Sequence, residues 1–169
     1  MKYLSQNNKR WKNKKLGFCN RTIGNYGCAI TCIDMIGDSI RVDDFNAKIK
    51  KHNGYTNGCE VKWNIACSLL GLKYEGEAFK PKRYPCIGRM IWNRQLHFVV
   101  FVGGKTIIDP WDGKKKKNPY KRITFINIKE TLALALKRYK IRYTRKYGRK
   151  PSNANIFVFK TFLRVRGYR

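Results

Sequence analysis

The spacing of apolar residues changes period once along this chain, near Leu72, and that change restricts the fold more than any other feature. Before it, apolar residues recur at helical intervals: Cys28, Cys32, Met35 and Ile36 share one face of a run that Gly37 is expected to stop. A second helix is expected over roughly Val42 to Lys51, with Asp43 and Asp44 in its first turn, where the helix dipole favours acidic groups. After the glycine- and asparagine-rich loop HNGYTNG, residues 60–70 (EVKWNIACSLL) read as a buried helix ended by Gly71. Beyond it the period becomes two. LKYEGEAF alternates, PCIGRMIW and LHFVVFVGG are rich in β-branched and aromatic residues, and KTIIDPW follows a Gly-Gly turn. Helices first and strands afterwards predict an α+β fold, with N-terminal helices packed on an antiparallel β-sheet.

At 169 residues and 43% hydrophobic content, the chain can build one domain with a core of its own. Residues 1–27 read as a polar arm held down by Trp11, Leu16 and Phe18. The formal charge of +28 is far larger than folding requires, and it is uneven. Residues 1–113 carry 19 Lys/Arg against 9 Asp/Glu, and residues 114–169 carry 19 against 1. The reading is therefore a domain over 1–113 and a strongly basic C-terminal extension over 114–169, packed on the same domain. Within the extension LALALKRYKIRY fits both periods, and NIFVFKTFLRV reads as a closing strand. A polyanion such as nucleic acid or teichoic acid, or an anionic membrane surface, is the partner such a charge favours. The interleaved aromatics (Tyr120, Tyr139, Tyr143, Tyr147) suit phosphate contact with base stacking, whereas those of NIFVFKTFLRV read better as core. The chain shows no apolar run of signal-peptide or membrane-spanning length, so the expectation is synthesis in the cytoplasm without a signal peptide, and no transmembrane segment. On the same ground most of the six cysteines are read as reduced, buried small side chains.

One cysteine reads differently. A nucleophilic thiol needs its thiolate favoured, and a helix N-terminus does that with unpaired N–H groups and the dipole. Cys28 opens the first helical run and is the cysteine best placed for this chemistry; Cys32 lies one turn further in. A thiolate also needs an imidazole to carry protons, and there are two histidines. His52 sits in a polar loop. His97 opens the strand HFVVFV, where a side chain can face a cleft while its neighbours are buried. A third group must fix the imidazole, and Asp109 ends the next strand in TIIDPW. A three-residue turn Val102-Gly103-Gly104 places His97 opposite Asp109 on one face, whereas a two-residue Gly103-Gly104 turn sends Asp109 to the other face. The functional reading therefore predicts the looser turn, or a bulge further along the ladder. Cys28 and Cys32 with either histidine include zinc-ligand types, but without a paired C-x-x-C element no metal or other cofactor is expected.

The segments SQNNKRWKNKKLG, TIGNYGCAIT, VKWNIA and LHFVVFVGGKTIIDPWDG together resemble the papain-like cysteine peptidases related to the bacteriocin-processing, double-glycine leader peptidases. More closely, the chain is similar to the stand-alone bacterial and phage branch, from about Tyr3 to Gly113. The resemblance implies a papain-like fold, Cys28 as nucleophile, His97 as general base and then acid, and Asp109 as the orienting group. It implies Gln6 as the side-chain donor that joins the Cys28 backbone N–H in an oxyanion hole, with Asn25 as the alternative donor. Ala29 departs from the glycine usual after the nucleophile, and Gln6 lies further upstream than in papain itself. The activity implied is hydrolysis of an amide bond in a peptide or a peptidoglycan cross-bridge by a phage- or bacteria-encoded enzyme, with incorporation in a virion as one setting for it. The alternative function is a virion structural or nucleic-acid-binding protein that keeps the papain-like fold.

Overall fold

The change of period at Leu72 is the boundary between a layer of helices and a sheet. The computed structural model describes residues 1–38 and 41–165, so the last four residues of the basic segment lie outside it. Helices α1 (Ile23–Tyr26), α2 (Cys28–Gly37), α3 (Val42–Lys51) and α4 (Trp63–Ser68) come first. Strands β1 (Leu72–Ala78), β2 (Cys86–Trp92), β3 (Gln95–Gly103), β4 (Thr106–Asp109), β5 (Lys114–Lys117) and β6 (Thr124–Glu130) follow. Helices α5 (Leu132–Tyr147) and α6 (Asn153–Val165) come last. The sheet order is β1-β6-β2-β3-β4-β5, and every neighbouring pair is antiparallel. This is the α+β arrangement expected from the pattern.

Ile30, Ile33 and Met35 of α2 and Phe45 and Ile49 of α3 meet Phe98 and Val100 of β3, Ile108 of β4 and Ile126 of β6 in the main core. The opposite side of the sheet holds a smaller core of Met90, Val99, Phe101 and Ile107, covered by Tyr120, Ile123 and Phe125. Both faces of β3 are thus covered, which is why HFVVFV is a continuous apolar run rather than an alternating one.

α2 ends at Gly37, as expected, although Gly37 is not its left-handed cap. It is the last helical residue, and its missing side chain makes room for Leu70, whose Cδ1 lies 2.4 Å from where a Cβ would stand. Asp38, at φ 62°, caps the helix in the left-handed conformation instead. The boundary expected at residue 113 falls between β4 and β5 of one sheet. The four lysines 114–117 form its edge strand, and β6 lies between β1 and β2. Lysine along an edge blocks pairing with another chain.

The strand expected in NIFVFKTFLRV is a helix. Ile156, Phe159 and Leu163, spaced three and four apart, form the inner side of α6, and Phe159 stacks on Tyr139 of α5 at 4.1 Å between ring centres. That packing outweighs the β preference of Phe and Val. LALALKRYKIRY, open between two readings, is also helical. Thr131 caps α5, and Arg138 bonds both the Glu130 carboxylate at 2.7 Å and the Ile36 carbonyl at 2.5 Å, tying α5 to α2.

Two of the thiols expected to be reduced form a disulfide, Cys19–Cys59, with Cα atoms 6.2 Å apart. Connectivity of this kind has no signal in spacing. It arises because the arm packs on the loop after α3, where Gly17 lies against Tyr55 and Cys59 and its amide bonds Asn46 at 3.0 Å. The bridge spans a sequence separation of 40, so the Cys19→Ser/Cys59→Ser variant should lose roughly 3–4 kcal/mol in denaturant unfolding. An unchanged midpoint would mean that the arm is held equally well without the bridge.

Candidate active site

The cleft forms where the N-terminus of α2 meets the first residues of β3. Thr22 caps α1, and Gly27 then lets α2 start at once, because a Cβ there would stand 2.4 Å from the Ile23 carbonyl oxygen. Cys28 is therefore the first residue of α2, in the turn whose N–H groups have no acceptor within the helix. Cys28 and His97 both line a cleft of about 820 Å³, with Gln6, Trp92 and Trp111 beside them.

His97 and Asp109 meet through a bulge. Gly103 pairs with Thr106 but Phe101 pairs with Ile107, so the β3–β4 register shifts between Phe101 and Gly103. Gly103, at φ 136°, and Gly104, at φ 53°, make the turn possible. Continuing the register puts Asp109 across from Val99 rather than His97. That is an offset of two residues, which keeps Asp109 on the His97 side. The His97 Nε2 and Asp109 Oδ1 atoms lie 3.0 Å apart, with both side chains buried.

Asp109 accepts from four groups. Oδ1 takes His97 Nε2–H and, at 2.9 Å, the Trp111 amide; Oδ2 takes the Tyr120 hydroxyl at 3.0 Å and the Lys116 ammonium at 3.1 Å. The Asp-Pro turn and the orienting role thus coexist in one carboxylate. Burial alone would raise its pKa, but the donors from His97, Trp111 and Lys116 outweigh that and hold it well below the usual carboxylate range. For His97, burial works to lower the pKa, and hydrogen bonds to Asp109 and to the Cys28 side chain, with their charges, raise it to about 9. With Nε2 on Asp109, Nδ1 is the ring nitrogen left to face Cys28. Burial and then the Asp109 charge push the Tyr120 phenol up, so it stays a neutral donor at neutral pH.

Gln6 is brought to the site by the turn after β4. Its amide donates to the Pro110 carbonyl at 2.7 Å, and Ser5 Oγ and Asn7 Nδ2 both donate to the Trp111 carbonyl. Its side chain is buried, and Nε2 donates to the Gly24 carbonyl at 2.6 Å, leaving a second N–H on the amide for another acceptor. Asn25, the alternative donor, also lines the cleft but is exposed. Cys28, His97, Asp109 and Gln6 therefore come together, whereas His52 is exposed at the C-terminal cap of α3 with Nδ1 2.9 Å from the Lys48 carbonyl.

Sequence reasoning missed Lys116 and Tyr120, which bond Asp109 from beyond residue 113, and Trp92, whose ring centre lies 5.4 Å from that of His97. A signal for Lys116 was present: Asp112-Gly113 between KTIID and KKKK is a hairpin pattern that puts alternate lysines on the Asp109 side. No protein-family description, curated protein or solved structure matches the chain.

Proposed function

We propose that this protein is a papain-like cysteine peptidase that hydrolyses an amide bond in a peptide or a peptidoglycan cross-bridge. The observation that carries the reading is the buried relay from Asp109 through His97 to Cys28, at the N-terminus of α2 and open to a cleft. Each group has the chemistry its step needs. Cys28 Sγ attacks the amide carbonyl carbon as His97 Nδ1 takes the thiol proton. Charge on the carbonyl oxygen is met by the Cys28 N–H and the second N–H of Gln6 Nε2. The C–N bond breaks as His97 protonates the leaving amine. Water, deprotonated by the now neutral imidazole, attacks the thioester and regenerates the thiol. Asp109 stays ionised throughout, holding Nε2–H and with it the tautomer.

The basic surface favours a substrate in an anionic cell wall, and a disulfide at the cleft wall suits an enzyme that works outside a reducing cytosol, as one carried in a virion would. The test is incubation with purified peptidoglycan and with a peptide library, followed by mass spectrometry for new amines. Cleavage that vanishes in Cys28→Ala supports the reading; no cleavage in either set opposes it. The second reading, a virion or nucleic-acid-binding protein that keeps this fold, is favoured by the 19 to 1 excess of basic residues over 114–169. Steeply salt-dependent DNA binding, unchanged by Cys28→Ala and without any hydrolysis, would select it.

A further inference from the structure

The outer side of α6 is apolar and faces solvent, and the core does not account for it. The helix already buries one side on α5 through Ile156, Phe159 and Leu163. On the other side Phe157 is 70% exposed, Val158 67% and Phe162 48%, and Ala154 and Thr161 fall between them on the helical wheel. No charged residue interrupts that strip. Lys160 and Arg164 run along one edge of it, since at 100° per residue they lie next to Phe157 and away from Val158. A helix apolar on both sides normally sits inside a protein; here Phe157 and Val158 stand largely exposed.

The charge around the strip says what covers it. From Leu132 to Arg164 there are ten Lys and Arg residues and no Asp or Glu. One of them, Arg138, is paired with Glu130; two copies meeting through α6 would bring the other nine together with no acid in the hairpin to offset them. Nucleic acid offers the anions but no apolar depth for Phe157 and Val158. An anionic lipid surface offers both: acyl chains for the strip and headgroup phosphates for the lysines and arginines along it. We infer that the α5–α6 hairpin seats the protein on an anionic phospholipid bilayer, with the outer side of α6 in the headgroup–acyl boundary. None of the helices among the described residues is long and apolar enough to cross a membrane, so α6 lies along the surface. The inference is independent of the proposed peptidase activity.

The test is flotation of the full-length protein with vesicles of phosphatidylglycerol and phosphatidylcholine in equal parts, against vesicles of phosphatidylcholine alone. The protein should float with the first and not the second. Phe157→Ser/Val158→Ser should weaken that partitioning by roughly tenfold or more without changing the thermal unfolding midpoint, since both side chains are largely exposed. Lys160→Glu/Arg164→Glu, a second variant at exposed positions, should weaken it on anionic vesicles as well. The inference is overturned by no flotation, or by flotation that the apolar variant leaves unchanged. It is equally overturned by a dimer in sedimentation that this variant dissociates, or by duplex DNA binding that this variant weakens.

Discussion

Cys28→Ala is expected to lower amide hydrolysis by roughly 10⁵–10⁶-fold, the loss seen when a nucleophile is removed from a relay that acts as a unit. No other thiol can take over. Burial pushes Cys67 and Cys86 up to about 12, and Cys32, fully enclosed, is raised by burial and then by the charges of Cys28 and Asp109. Cys19 and Cys59 are bonded to each other. Because nucleophile and base act together, Cys28→Ala/His97→Ala should be no slower than Cys28→Ala alone. The check is product formation followed by chromatography for the single and double variants. A Cys28→Ala protein that keeps more than about a thousandth of the rate would show that the cleavage runs through some other group.

Asp109→Asn should cost roughly 10²–10⁴-fold in rate and move the alkaline limb of the pH profile. His97 stands raised from 6.5 to about 9 against the pull of burial, and Asp109 supplies the first hydrogen bond and part of the charge that raises it. An amide in place of the carboxylate still accepts Nε2–H but carries no charge, so the imidazolium is lost at lower pH. The fall in kcat/KM expected near pH 9 should shift downward, because protonation of the leaving amine needs the imidazolium. Stability follows the same sign. A raised imidazole contributes stability that is full below its unfolded value near 6.5 and fades as pH rises through about 9. The lowered Asp109 carboxyl contributes stability that is present above its unfolded value near 3.8 and is lost in stronger acid. The wild-type advantage over Asp109→Asn in chemical denaturation should therefore be widest between those two unfolded values and narrow above pH 9. An alkaline limb that does not move would mean that Asp109 has no part in holding the proton on His97.

The parts of the fold legible in the sequence were those with a local signal. Val42–Lys51 carries a helical period with acid in its first turn, and β1 to β4 carry alternation or apolar runs between turn residues. His97 and Asp109 were legible as a pair because strand geometry has only two faces, so a shift of two residues in register leaves the face unchanged. What was not legible depends on segments far apart in the chain. The Cys19–Cys59 bridge needs the arm to lie on the loop after α3, and β6 pairs with β1 across four intervening strands of sequence, from Leu72 with Glu130 to Ala78 with Phe125. Lys116 and Tyr120 read as part of a charge run and a lone aromatic until β5 pairs with β4 and the 118–123 loop crosses the sheet. The last helix was misread because four of its residues are Phe or Val over positions 156–159 and 162, a composition that favours strands until Tyr139 gives Phe159 a surface to stack on.

The most direct measurement is limited iodoacetamide alkylation of the folded protein, mapped to each cysteine by mass spectrometry across pH, with and without His97→Ala. Cys28 is expected to be labelled well ahead of Cys32, Cys67 and Cys86 at neutral pH, and this lead is expected to be lost in His97→Ala. Equal, slow labelling of all four free thiols, unaffected by His97→Ala, would contradict a Cys28–His97 reaction centre and leave the basic C-terminal segment as the functional part of the molecule.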